Sequence, residues 1–151
     1  MPPEALFSAE EICEQSQRLA MASVITTIAL LKDRQLSVTE WFSGSRQKYA
    51  SSWDELRGQG ALAVLRAIGL NATCIGATIG SLEGDSAAAE LVITAWPPAW
   101  FLDTLRLTHA DTDPFWESLR PTVQHLGYDY TWQRDDIEVR LQARQGEGAR
   151  R

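Results

Sequence analysis

The sequence has little of what the commonest chemistries require. It contains two cysteines and two histidines in 151 residues. Cys13 and Cys74 lie far apart, at no spacing that makes a zinc site or a thioredoxin-type dithiol, and they read as buried thiols in a reducing compartment. Basic charge is also short, with a net charge of −6 and a pI near 4.9. That argues against nucleic acid and against an anionic membrane surface as partners, because phosphate binding needs a basic face. The apolar run from Leu19 to Leu31 is shorter than the roughly 20 residues that span a bilayer. The glycines from Gly76 to Gly84 carry no P-loop pattern, and no helix follows them to aim its N-terminus at an anion. The opening MPPEALFSAEE has acidic residues where a secretory signal has basic ones. The expectation is a cytoplasmic protein with no metal, no cofactor and no catalytic motif.

What remains is the composition of a globular protein, 44% apolar and 23% charged. The length suits one domain able to bury about two thirds of its unfolded surface. We expect that domain over residues 1–144, followed by a Gly-rich, charged, disordered tail over 145–151.

Helix starts are written clearly near the N-terminus. Ser8 has Glu11 three residues on, which makes a capping box, with Phe7 and Ile12 at the staple positions. Ser37 and Glu40 repeat the pattern, flanked by Leu36 and Trp41. The short link Asp33–Gln35 predicts an antiparallel helical hairpin. Leu19 to Leu31 lies inside its first arm and, having no charge, is expected to be buried nearly all round. Ser23, Thr26 and Thr27 within it can bond to preceding helix carbonyls. The second helical region, Val38 to Ile68, contains Gly44, Gly58 and Gly60 and should break near Ser51-Ser52, where Ser51 can cap a segment with Asp54 at its third position. Gly69 fits the left-handed residue after its end, with Leu70 placed to touch Leu65.

From Asn71 the period changes to two. Ala72, Cys74, Gly76, Thr78 and Gly80 alternate with Thr73, Ile75, Ala77 and Ile79, which predicts a strand with one small face and one apolar face. A loop over Leu82–Ser86 and a returning strand from Ala87 to Trp96 complete a hairpin. Pro98 opens a short helix carrying Trp100, Phe101, Leu102 and Leu105. Asp113 reads as the N-cap of a helix with Pro114 at its first position, kinked at Pro121 and ending at Gly127. Tyr128 to Ala143 reads as a second hairpin turning near Arg134–Asp136. The order ααββ-αα-ββ describes an α+β, two-layer domain: the N-terminal helical hairpin and further helices cover one face of an antiparallel sheet of about four strands. This order resembles that of the vinyl-reductase-like ligand-binding domains, relatives of the small subunits of vesicle-tethering complexes. The paired C-terminal cysteines common in that group are absent here, and no residue is carried over from it.

Six tryptophans are more than a core of this size requires. Trp96, Trp100 and Phe101 flank Pro97-Pro98, while Tyr128, Tyr130 and Trp132 share one face of a strand. Set opposite the small face at Cys74, Gly76 and Gly80, these aromatics would line a pocket for a flat apolar ligand between helices and sheet, with phenol and indole groups orienting it. The same residues would also serve simply to pack a core, since glycine on a strand marks a close approach and not what approaches. Elsewhere the local roles suffice. Asp111 suits a turn, Asp113 an N-cap, and His109 a helix C-terminus, so a metal site there is not expected. His125 has no partner in sequence, Cys74 has no neighbouring base, and Glu90 suits an exposed strand edge. The leading expectation is a non-catalytic sensor or accessory domain that binds an apolar or aromatic small molecule. The alternative is a homodimer joined through the uncharged first helix. An enzyme using His109, Asp111, Asp113 or His125 ranks third.

Overall fold

A computed structural model describes residues 6–146. Helices α1 (Ala9–Asp33), α2 (Val38–Lys48) and α3 (Ala61–Cys74) precede the hairpin β1 (Thr78–Gly84) and β2 (Ala88–Thr94). Short helices α4 (Ala99–Leu105), α5 (Asp113–Glu117) and α6 (Arg120–His125) then lead to the hairpin β3 (Tyr128–Asp135) and β4 (Glu138–Gln145). Two short 3-10 helices, Ala50–Leu56 and His109–Thr112, join neighbouring helices. The four strands form one antiparallel sheet in the order β1-β2-β4-β3. The helices cover one face of it, giving the α+β two-layer architecture.

Both helix starts form as the sequence predicts, and only the first is a complete box. Ser8 Oγ accepts from the Glu11 amide at 3.1 Å, and Glu11 returns the bond by accepting from the Ser8 amide at 2.6 Å. That backbone hydrogen bond holds the Glu11 carboxyl below its ordinary value. Ser37 caps the Glu40 amide at 3.1 Å without a reciprocal bond. The four staple residues, Phe7, Ile12, Leu36 and Trp41, are all exposed. The helical hairpin is also looser than expected: α1 packs chiefly on α3, while α2 lies against α5 and α6.

Leu19–Leu31 is buried on one face only, which corrects the expectation of all-round burial. Met21, Ile25, Ile28 and Leu31 join the core, while Leu19 and Leu30 remain 62% and 52% exposed. Hydroxyls make the outer face tolerable without charge. Thr26 Oγ1 donates to the Ala22 carbonyl at 2.5 Å and Thr27 Oγ1 to that of Ser23 at 2.6 Å, as the sequence reading anticipated.

The largest correction lies at Asn71–Cys74, which continues α3 and does not begin a strand. The apolar positions Ala61, Val64, Leu65, Ile68 and Ala72 follow the helical period and are all buried. Gly69 therefore sits inside the helix. A methyl group there would meet Leu91 Cδ1 at 3.3 Å, so glycine lets α3 lie close on the sheet. The terminating role falls to Gly76, whose φ is +87°. The break after α2 lies where the sequence placed it, but Ser51 forms no cap; Ser52 Oγ donates to the Tyr49 carbonyl at 2.7 Å instead. The expected continuous helix from Asp113 to Gly127 is two helices, with Pro121 in the first turn of α6. Asp113 is the first residue of α5, and Thr112 before it makes no side-chain capping bond.

The sheet presents Ala89, Leu91, Ile93, Val139, Leu141 and Ala143 to the helices. Burying each large side chain contributes about 1.5–3 kcal/mol. Glu90 lies on β2, an inner strand, and faces away from the helices; Arg140 Nη1 and Gln142 Nε2 bond to it at 2.9 and 2.7 Å. It is thus not an edge residue. Gln145 pairs with Tyr128 in the ladder, so the ordered chain extends past the expected start of the tail, whose residues 147–151 lie outside the described ones. No helix among the described residues is long and apolar enough to cross a membrane.

Candidate functional site

An aromatic-walled cleft opens among the helices. On α2, Phe42 and Arg46 stand four residues apart and so share a face. The 3-10 helix after α2 brings Trp53 to the cleft, with Tyr49 at the turn before it half-exposed. The last turns of α3 contribute Ile68, Ala72 and Cys74, and α5 supplies Phe115 and Trp116. The volume is about 340 Å³, and most of the lining is apolar.

The α5 wall is held rigidly from behind. Phe115 and Trp116 rings are 5.2 Å apart at 80°, Phe42 meets Phe115 edge-on at 5.0 Å, and Trp96 contacts both α5 rings at 5.3–5.4 Å. Pairs of this geometry contribute about 0.5–1.5 kcal/mol each beyond their buried area. Tyr130 Oη donates to the Trp116 carbonyl at 2.8 Å, tying the cluster to β3. Burial pushes the Tyr130 phenol well above its ordinary value, so it remains a donor at all working pH.

Electrostatically the cleft is one-sided. Arg46 is its only charged lining residue and is just 8% exposed. Its Nη1 donates to Ser118 Oγ, and its guanidinium carbon lies 5.1 Å from the Phe115 ring centroid and 5.9 Å from that of Phe42. Among the described residues no carboxylate lies within 4.0 Å of it. Burial lowers its pKa from the usual value, yet a guanidinium stays charged. Aromatic faces return about 2 kcal/mol to a desolvated cation, less than the several kcal/mol that burying an unpaired charge costs. The Trp116 indole N–H is the one buried side-chain donor among the described residues with no acceptor.

The sequence-predicted site residues do not assemble into one wall. Cys74 lines the cleft, at the exposed end of α3. Gly76 is at the turn beyond it, beside Met21. Trp96 is buried behind the α5 rings, with its Nε1 donating to the Ile75 carbonyl at 2.9 Å. Tyr128 is buried and accepts from the Gly60 amide at 2.9 Å. Trp132 donates to Glu117 at 2.6 Å. Trp100 is 65% exposed, its ring tilted at 50° to that of Phe101 with centroids 5.3 Å apart. Tyr128, Tyr130 and Trp132 do share a face, but it backs the cleft without lining it. Both thiols are exposed, which corrects the expectation of buried ones.

The polar candidates disperse likewise. His109 Nε2 lies 3.2 Å from the Pro97 carbonyl, Asp111 caps Thr108 and pairs with Lys32 at 2.8 Å, and Asp113 pairs with Arg134 at 2.5 Å. His125 does have a partner, Asp54 at 3.1 Å, from a distant part of the chain. Among the described residues no three His, Cys, Asp or Glu side chains are grouped to hold a metal ion.

The cleft residues that sequence reasoning missed are Phe42, Arg46, Tyr49, Trp53, Phe115 and Trp116. A signal existed for two pairs. Phe42 and Arg46 have the four-residue spacing that stacks a guanidinium on a ring, and Phe115 and Trp116 are adjacent aromatics on one short helix, both lining the cleft and both touching Trp96. No protein-family model matches the chain, and no curated protein matches it.

Proposed function

We propose that the chain is a non-catalytic domain that binds a small, largely apolar or aromatic molecule, acting as a cytoplasmic sensor or accessory protein. The observation that carries this reading is the cleft of about 340 Å³ walled by Phe42, Trp53, Phe115 and Trp116. Its size falls in the ordinary range for small-molecule sites, and its few polar groups are the kind that orient a ligand. The pre-packed rings behind it favour binding with little reorganisation, and so a low ordering cost. Tryptophan fluorescence and thermal melts against a panel of neutral and charged aromatic compounds test it. Saturable quenching with a raised melting temperature is the expected result; a panel that changes neither removes the proposal.

A second reading is favoured by a separate surface. The N-terminal half of α1 and its neighbour α4 expose Ile12, Leu19 and Trp100 at 56%, 62% and 65%, beside a hollow of about 490 Å³ lined by Arg18, Leu19, Met21, Ala22, Trp100 and Phe101. Contiguous apolar exposure of this kind suits a second copy of the chain. Light scattering at micromolar concentration decides it: a monomeric mass excludes the homodimer.

A further inference from the structure

The charge of the cleft points to the chemistry of its occupant. Arg46 is the sole charged group in the lining, it is 8% exposed, and among the described residues it faces no carboxylate within 4.0 Å. Arg57, Arg120, Arg134 and Arg140, all outside the cleft lining, have acidic partners. Arg46, buried in an apolar cleft, has only a hydroxyl and two aromatic faces. Ser118 Oγ also donates to the Phe115 carbonyl at 2.5 Å, so it accepts from Arg46 with its orientation already fixed. That bond uses one nitrogen of a group that carries five N–H donors, and it braces the guanidinium against α5.

We infer that the cleft takes an apolar carboxylate, its hydrophobic body among Phe42, Trp53, Phe115 and Trp116 and its carboxylate paired with Arg46. This rests on the small-molecule reading above and adds to it the sign of the ligand's charge. A carboxylate matches the guanidinium's remaining donors in geometry and removes the unpaired charge on binding. A neutral ligand of the same shape would bury that cation more deeply and leave it uncompensated. Low exposure also means that the pair is weakly screened, so affinity should fall little with salt.

The test is isothermal titration calorimetry with naphthylacetate and its neutral counterpart naphthylacetamide, which share a ring body. The unaltered protein should bind the carboxylate at least about tenfold more tightly, the worth of one charge-assisted hydrogen-bonded pair. Arg46→Met should abolish that preference, Arg46→Lys should retain part of it, and Arg120→Met, behind the cleft, should leave it intact. Circular dichroism and melting curves establish that each variant is folded. Should Arg46→Met not fold, the two probes on the unaltered protein and on Arg46→Lys still decide. Equal affinity for both probes would overturn the anionic assignment while leaving the apolar cleft standing. Binding of neither would overturn the assignment to an apolar carboxylate, the small-molecule reading itself falling only with the wider panel, and a preference that survives Arg46→Met would show that the carboxylate sits elsewhere.

Discussion

Two arginines lie close to Tyr130, and they are treated in opposite ways. Arg120 stacks on the phenol ring at 5.5 Å and holds Glu117 with both its Nε and Nη2, at 2.6 and 3.0 Å. Its Nη1 bonds to the Tyr130 carbonyl, and Glu117 takes a further bond from Trp132 at 2.6 Å. Each charge in this cluster has a partner, and the cluster fastens α5 and α6 to β3. Arg46 is more deeply buried and has no acid. The first cation belongs to the framework. The second is held in a state that a framework alone would not favour, and such departures from local consistency are where function concentrates.

Truncating the wall between the two regions should have the largest effect. Trp116→Ala removes rings that pack on both Phe115 and Trp96 and should destabilise the fold by about 3–5 kcal/mol in urea unfolding. A loss below about 1 kcal/mol would mean that the aromatic cluster is not load-carrying and would dissolve the contrast. Glu117→Ala comes next. It strands the Arg120 guanidinium and the Trp132 N–H, and because the ion pair is about a third exposed the expected loss is about 1 kcal/mol.

Acid should reach the compensated cluster only slightly. The Arg120 hydrogen bond, helped by Trp132, holds the Glu117 carboxyl below its ordinary 4.5. The folded state therefore favours the carboxylate: the stabilisation is complete above that ordinary value and is lost as pH falls through the lower folded one. Solvent screening keeps it under about 1 kcal/mol. Comparing urea midpoints of the unaltered protein and Glu117→Gln between pH 6 and pH 3 should show a shallower acid loss for the variant; parallel profiles would say that Glu117 is not held by its partners.

The smallest stability change should come at the most buried charge. Arg46→Met gives up one hydrogen bond and two cation–π contacts but also relieves an unpaired buried charge, so unfolding free energy should stay within about 1 kcal/mol of the unaltered protein or rise. A loss of several kcal/mol would place Arg46 in the framework beside Arg120 and end the contrast.

The sequence disclosed the parts of the fold that have local causes. Ser8 and Ser37 mark helix starts because capping is a matter of a few neighbouring residues. The β1–β2 and β3–β4 hairpins follow from alternation and turn residues within short windows. Asn71–Cys74 went astray because small residues fit either period, and the deciding contact, Leu91 against Gly69, is made by a strand later in the chain. The cleft was illegible for the same reason on a larger scale. Its walls come from α1, α2, α3, α5 and the 3-10 helix between α2 and α3, and nothing in sequence says that Phe42 will meet Phe115. Arg46 was invisible because a lone arginine near a helix C-terminus ordinarily reads as a favourable charge in water.

The ends of the sheet bear on how copies of the chain can meet. Strand β1, one border, has its register interrupted between Ile79 and Ser81, and β3, the other, carries Asp129, Arg134 and Asp135 along its length. An irregular ladder and a charged one are both poor templates for a fifth strand. Growth by strand addition, the route to fibres, is thereby discouraged at both borders.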